Sequence, residues 1–304
     1  MHPVRQLPAP ARRTLGPQGP GVSPLAWGMW RFRGDDTAQA QALVEAALIT
    51  GINLFDTADI YGADTPAGFG SAEELLGKVL RHAPHLRQEM VLATKGGIII
   101  GTPYDSSATY VAAAIDASLR RLGVDHVELW QVHRPDLLTH PQELARALED
   151  AVVSGKVRAV GVSNFTPAQV AALSHYLTVP LASLQPEFSP LQLLPLENGL
   201  LDQAMQQNLT VLAWSPLGQG RIAEPSNARE VAVAAALDLQ AAAYGVSRTA
   251  AAYSWIMAHP AGAIPIVGSQ QVPRIREAAD ALKVRWTRAE WYEVLVASRQ
   301  ERLP

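Results

Sequence analysis

The 304-residue sequence contains no cysteine, which excludes disulfides, thiolate nucleophiles and thiolate metal sites. That absence fits a reducing, cytoplasmic setting. Charge is also scarce, with Asp, Glu, Lys and Arg making up 17% of the chain and a formal net charge of -3. An overall basic field that would gather nucleic acid or an anionic membrane is therefore missing, although a local phosphate site stays open. No apolar run approaches the roughly 20 residues needed to cross a bilayer, because Pro, Gly, His or a charge interrupts each candidate. The N-terminus, MHPVRQLPAPARR, is proline-rich and lacks the apolar stretch of a secretory signal, so a loose tail is expected over residues 1–12. The GxGxxG fingerprint of the dinucleotide fold is absent as well.

What is present is hydrophobic bulk. At 48% hydrophobic residues, burial can offset the conformational entropy lost on folding without staples or metals. The length suits one α/β barrel without a second core, so residues 1–304 are expected to form a single domain. From residue 25 onward, short β-type runs alternate with alanine-rich helical stretches, the pattern of βα units around a parallel sheet. Expected strands are Pro24–Met29, Asn53–Phe55, Met90–Thr94, Val127–Val132, Ala159–Gly161, Leu181–Gln185, Thr210–Ala213 and Ala263–Val267. Helical apolar spacing marks Asp36–Ile49, Ala72–Arg81, Ala108–Leu122, Gln142–Ser154 and Leu196–Gln207. Ser71 with Glu74 fits a capping box, Ser247 opens a further helix, and Arg288–Arg299 suits a C-terminal helix against the barrel. Upstream, RRTLGPQGPGVS places turn residues between two short flanks and predicts a β-hairpin closing the barrel bottom.

Barrel enzymes carry their reactive groups at the carboxyl ends of the strands. Asp56, Tyr61, Lys95 and His133 all fall at such ends or in the loops that follow. Taken singly, each has an ordinary explanation. Asp56 suits a local turn, Tyr61 a packed loop ring, Lys95 a solvated surface, and His133 a structural hydrogen bond. Four together at one mouth argue against separate ordinary uses, and the set could serve carbonyl reduction, which needs hydride on carbon and a proton on oxygen. Tyr61 is then the proton donor, with a phenol pKa near 10 that the Lys95 charge would lower. Asp56 keeps that ammonium charged, and His133 polarises the carbonyl.

These four residues, with the strings FDTADIYG, LATKGG, GKVRAVGVSNF and AWSPLGQG, resemble the aldo-keto reductase family from the first strand to near the C-terminus. HRPD and IVGS are most similar to a bacterial branch of loosely assigned oxidoreductases. The resemblance implies a (β/α)8 TIM barrel with an N-terminal hairpin and extra C-terminal helices, NADP(H) as cofactor, a small aldehyde or ketone as substrate, and a monomer. Ser163, Asn164 and Gln185 match positions that hold the nicotinamide carboxamide, although Ser163 and Asn164 equally suit a helix cap. Trp214 matches the aromatic that stacks on the nicotinamide, with core packing as the alternative. Ser215, Leu217, Gly218, Gln219, Gly220 and Arg221 match the loop over the pyrophosphate. Ser269, Gln270 and Arg274 match the adenosine 2′-phosphate segment, or else serve as a cap and a surface charge. Gly268 stands where many family members carry a lysine. Met29 and Trp30 match positions beside cofactor and substrate, while Arg31, Phe32, Gly62–Gly70, Ile98–Tyr104 and Arg134 shape the pocket. A barrel that senses NADP and signals to a protein partner is the rival that the resemblance leaves open. A barrel hydrolase would want paired carboxylates or a metal cluster, and Asp56 alone supplies neither.

Overall fold

The computed structural model describes residues 6–7 and 11–304. A two-stranded antiparallel hairpin, β1 (Arg13–Thr14) and β2 (Gly21–Val22), precedes eight parallel strands. These are β3 (Ala26–Gly28), β4 (Leu54–Asp56), β5 (Val91–Gly96), β6 (Val127–Val132), β7 (Val157–Ser163), β8 (Ser183–Gln185), β9 (Thr210–Ala213) and β10 (Ile264–Val267). They close in sequence order, β10 pairing with both β3 and β9. All eight expected strands are present, displaced by a few residues at their ends. The chain is thus a (β/α)8 barrel with an N-terminal hairpin and extra C-terminal helices.

Side chains alternate across each strand, and the alternation divides the protein into two apolar masses. Ala26, Leu54, Ala93, Leu129, Leu212 and Ile264 point inward and fill the barrel. Trp27, Phe55, Leu92, Trp130 and Val211 point outward and pack against the helices in the larger core. The hairpin seals the lower end. Leu15 at its turn is fully buried among the barrel-interior residues. Gly16 lies at φ +64°, and a Cβ there would sit 2.5 Å from Ala182 Cα, so only glycine allows the turn to approach so closely.

Three helix expectations need correction. The Ser71–Glu74 capping box does not form, because Gly70 is the N-cap in the left-handed conformation and Ser71 is already helical. True capping boxes occur at Thr166–Gln169 and Thr287–Glu290. The single helix expected over Leu196–Gln207 is two, Leu194–Glu197 and Leu200–Gln207, separated where Gly199 takes φ +82°. Ala228–Tyr244 is a long helix where none is expected. Most of the tail expected over 1–12 lies outside the described residues; Leu7 donates its N–H to the Trp286 carbonyl at 2.7 Å, and Gln6 bridges to Thr287. Among the described residues no helix is long and apolar enough to cross a membrane.

Candidate active site

Period two along adjacent strands brings the candidate catalytic groups together. Asp56 follows Leu54, Lys95 follows Ala93, and Gln131 and His133 follow Leu129, so each continues an inward-facing row toward the upper end. Lys95 is fully buried and donates to Asp56 Oδ2 at 2.6 Å and to the Thr57 carbonyl at 2.8 Å. Burial pulls the lysine pKa down, yet Asp56 and Tyr61 together outweigh it and leave it above its ordinary value. Asp56 Oδ1 in turn accepts from Gln185 Nε2 at 2.9 Å and from Gln131 Nε2 at 3.4 Å. Gln131 Oε1 accepts from Ser183 Oγ at 3.0 Å. The ion pair therefore rests on a buried polar floor that satisfies the remaining carboxylate oxygen.

Tyr61 reaches this pair from the loop after β4. Asp59 N–H donates to the Lys95 carbonyl at 2.9 Å, which stitches the loop to β5, and Gly62 turns it at φ +96°. Lys95 Nζ lies 5.0 Å from the centroid of the Tyr61 ring. The ring makes edge contacts with His133 at 5.8 Å and with Trp30 at 5.1 Å. Burial raises the phenol pKa above its ordinary value, Lys95 opposing and Asp56 adding to the rise. The expected downward pull of Lys95 is present but does not prevail. His133 moves the other way, well below the usual histidine range, through burial first and then the positive charges of Lys95 and Arg134. Its ring is neutral near pH 7, and Nδ1 is buried without a hydrogen-bond partner.

A cleft of about 1240 Å³ opens above these groups, lined by Tyr61 and His133 and also by Trp214, Arg221, Ser269 and Arg274. Ser163 Oγ donates to the Gln185 carbonyl at 2.9 Å, while Asn164 Nδ2 donates to Ser163 Oγ at 2.9 Å and to the His133 carbonyl at 3.1 Å. Trp214 Nε1 donates to Asn164 Oδ1 at 3.0 Å, and Arg134 lies over the indole at 5.7 Å. Neither Ser163 nor Asn164 caps the following helix, since Thr166 does so. Asn164, Ser215 and Gln219 take positive φ, which gives the β7 and β9 loops sharp turns at the cleft. Arg221 is held by the Gly218 carbonyl at 2.8 Å and by Glu230 at 3.6 Å. Gln219 donates to Glu187 at 3.4 Å, and Gly220, at φ +96°, has open space where a Cβ would stand. Leu217 and Ser215 line the same wall. Ser269 Oγ accepts from Gln271 N–H at 3.3 Å, Gln270 Nε2 donates to the Gly28 carbonyl at 3.0 Å, and Arg274 is exposed at the cleft. Met29 is fully buried in the outer core and does not line the cleft, whereas Trp30 does.

A profile of the aldo/keto reductase family matches residues 24–295. The chain belongs to the aldo/keto reductase family. It is 63% identical over 297 residues to a 6-dehydroglucose reductase of Novosphingobium aromaticivorans, covering 97% of this chain and 98% of that one. A 6-dehydroglucose reductase of Agrobacterium fabrum is 39% identical over 286 residues, covering 90% and 93% of the two chains. The crystal structure of a thermostable aldo-keto reductase, Tm1743, in complex with the inhibitor epalrestat superposes with a TM-score of 0.81 at 22% identity, covering 94% of this chain and 99% of that one. That last likeness concerns the fold alone.

Several parts of the candidate site were not foreseen. Gln131 and Ser183 form the floor below Asp56, and the available signal was a polar residue on an otherwise inward apolar row. Thr249 and Tyr253 reach the cleft wall from the helix Arg248–Met257, and burial raises the Tyr253 phenol. No local motif marks them, since their role depends on which face of an alanine-rich helix meets the cleft. Among the described residues, no cluster of three or more His, Asp or Glu could hold a metal ion.

Proposed function

We propose that this aldo/keto reductase reduces an aldehyde or ketone to the alcohol with NADPH, and that a hexose oxidised at C6, 6-dehydroglucose, is its substrate. The observation that carries the reading is the buried Asp56–Lys95 pair beneath the Tyr61 ring, with the His133 imidazole facing the same ring. Bound NADPH would supply hydride to the carbonyl carbon. Tyr61 gives its proton to the developing alkoxide, and Lys95 stabilises the phenolate left behind. Asp56, braced by Gln185 and Gln131, keeps the Lys95 charge in place. His133 orients the carbonyl oxygen toward Tyr61 through a hydrogen bond from its neutral ring.

The residues present fit a phosphorylated dinucleotide. The cleft is larger than the roughly 300–1,000 Å³ of ordinary small-ligand pockets. Arg221 and Arg274 bring cationic forks to its wall, Gly220 leaves room for close approach, and Gln270 Oε1 is buried without a partner. Ser163, Asn164 and Gln185 would meet the carboxamide, and Trp214 presents a ring for stacking. The sugar assignment draws support from the two relatives named for 6-dehydroglucose reduction, and from Trp30 and Arg134 at the mouth, where a ring face and a guanidinium suit a polyol.

The test follows NADPH absorbance with 6-dehydroglucose and a panel of other aldehydes and ketones, for the wild type and Tyr61→Phe. The expected outcome is turnover that falls roughly a hundred- to ten-thousandfold in the variant. Tight NADPH binding without turnover on any carbonyl would replace this reading with that of a cofactor-sensing barrel.

A further inference from the structure

We propose that Arg31 binds the 2′-phosphate of the dinucleotide, supplying from the end of β3 a cation that Gly268 at the end of β10 does not provide. The proposal rests on the NADP(H) reading above. Its starting point is a distance: the nearest heavy atom to a Cβ built on Gly268 is Arg31 Nη1, at 3.9 Å. The guanidinium therefore lies within ordinary contact distance of where a side chain at 268 would begin. Neighbouring strands bring the two segments together, since Val267 pairs with Trp27 and Ile266 with Ala26. Two cross-bonds clamp the strand ends further, Trp27 Nε1 to the Ser269 carbonyl and Gln270 Nε2 to the Gly28 carbonyl, each 3.0 Å.

The second observation concerns which arginines are free to act. Arg134 lies over Trp214, and Arg221 is tied to Gly218 and Glu230. Just outside the cleft, Arg33 is paired with Asp64 at 2.8 Å. Arg31 and Arg274 line the cleft, and their guanidiniums make no hydrogen bond or ion pair among the described residues. Both belong to the wall that carries Ser269, whose hydroxyl accepts the Gln271 N–H at the entrance to the helix bearing Arg274. Two uncommitted guanidiniums beside a serine hydroxyl form a donor set for a dianion, because each planar fork can make paired charge-assisted bonds to phosphate oxygens. A single cation would serve a carboxylate or a phosphodiester equally well, whereas two, one from the turn after β3 and one from the helix after β10, favour the doubly charged monoester.

The test measures binding by calorimetry, with adenosine 2′,5′-bisphosphate and 5′-AMP as probes of the whole protein. Arg31→Ala is expected to weaken the bisphosphate about ten- to hundredfold while changing 5′-AMP little. NADPH should lose affinity in the same proportion, and NADH much less. The position is open enough for a rescue, since Gly268 does not have a positive φ and nothing lies closer than 3.9 Å. The double variant Arg31→Ala/Gly268→Lys should therefore recover most of the bisphosphate affinity. An Arg31→Ala protein that binds the bisphosphate as tightly as wild type, or loses both probes equally, overturns the role of Arg31. Failure of the wild type to bind either NADPH or the bisphosphate overturns the cofactor reading itself.

Discussion

Asp59 and Glu73 are both buried behind Tyr61, and their surroundings treat them differently. Glu73 has partners on both oxygens, Arg121 Nε at 2.7 Å on one and Thr94 on the other. Asp59 has one oxygen without a partner and only a long contact of 3.5 Å from the Tyr110 hydroxyl on the other. Burial, with the charge of Glu73 adding to it, pushes the Asp59 carboxyl up to about 8, although Arg121 opposes. The unfolded chain releases this proton near the ordinary aspartate pKa of about 3.9. The folded state thus binds the extra proton between about pH 4 and pH 8, and this group's contribution to stability falls as pH rises through that window. His133, whose folded pKa is depressed, has the opposite sign and gains as pH rises toward its unfolded value of about 6.5. Asp59→Asn leaves His133 in place, so its melting temperature should decline less between pH 5 and pH 8 than that of the wild type. Calorimetry across that range decides the matter, and parallel curves would reject the charge state argued for Asp59. Nothing local in FDTADIYG distinguishes Asp59 from Asp56; what separates them is Lys95, distant in sequence, whose ammonium pairs with the carboxylate of Asp56 alone.

The strands were legible because barrel interiors demand inward rows of apolar residues, and Leu54, Ala93 and Leu129 supply them in short runs between turns. Helix boundaries were less so. Ser71 has the right chemistry for an N-cap, but the preceding Gly70 adopts the left-handed conformation and starts the helix one residue earlier. Ala228–Tyr244 was obscured because Val231 and Leu239 lie on its exposed side while Glu230 and Gln240 are buried, which blurs the apolar stripe. At the lower end, the hairpin acts through one side chain. Leu15 inserts among Leu54, Leu129, Leu212 and Ile264, so Leu15→Ala should cost about 2–5 kcal/mol from lost burial and a residual cavity. The proposed catalytic group of Asp56, Tyr61, Lys95 and His133 occupies the opposite end, so the folded fraction should keep its turnover number. Denaturant titration alongside the NADPH assay tests both halves; a large fall in turnover with unchanged stability would contradict the plug role.

At the scale of the whole molecule, the C-terminal helix Arg288–Arg299 is coupled to the cleft through Arg229. This guanidinium donates to the Ser298 carbonyl at 2.6 Å, to Ser298 Oγ at 3.0 Å and to the Leu191 carbonyl at 2.8 Å. Leu191 lies directly beneath Gly218, its Cδ1 2.9 Å from where a Cβ would stand, and Gly218 begins the loop that carries Gln219, Gly220 and Arg221 over the cleft. The helix is anchored independently by Trp291, whose ring stacks on Trp255 at 4.6 Å with each indole N–H donating to the other's carbonyl at 3.0 Å. Removing the Arg229 fork should therefore free the loop without detaching the helix. Arg229→Met is expected to lose about 1.5–3 kcal/mol for each charge-assisted bond not replaced by water. Because Leu191 supports the loop proposed to cover the cofactor and makes no hydrogen bond to Asp56, Tyr61, Lys95 or His133, the loss should appear as a raised Kd for NADPH with little change in kcat at saturation. Fluorescence titration of NADPH beside steady-state kinetics separates the two. A fall in kcat with an unchanged Kd would place the influence of Arg229 on the reacting groups instead of the loop.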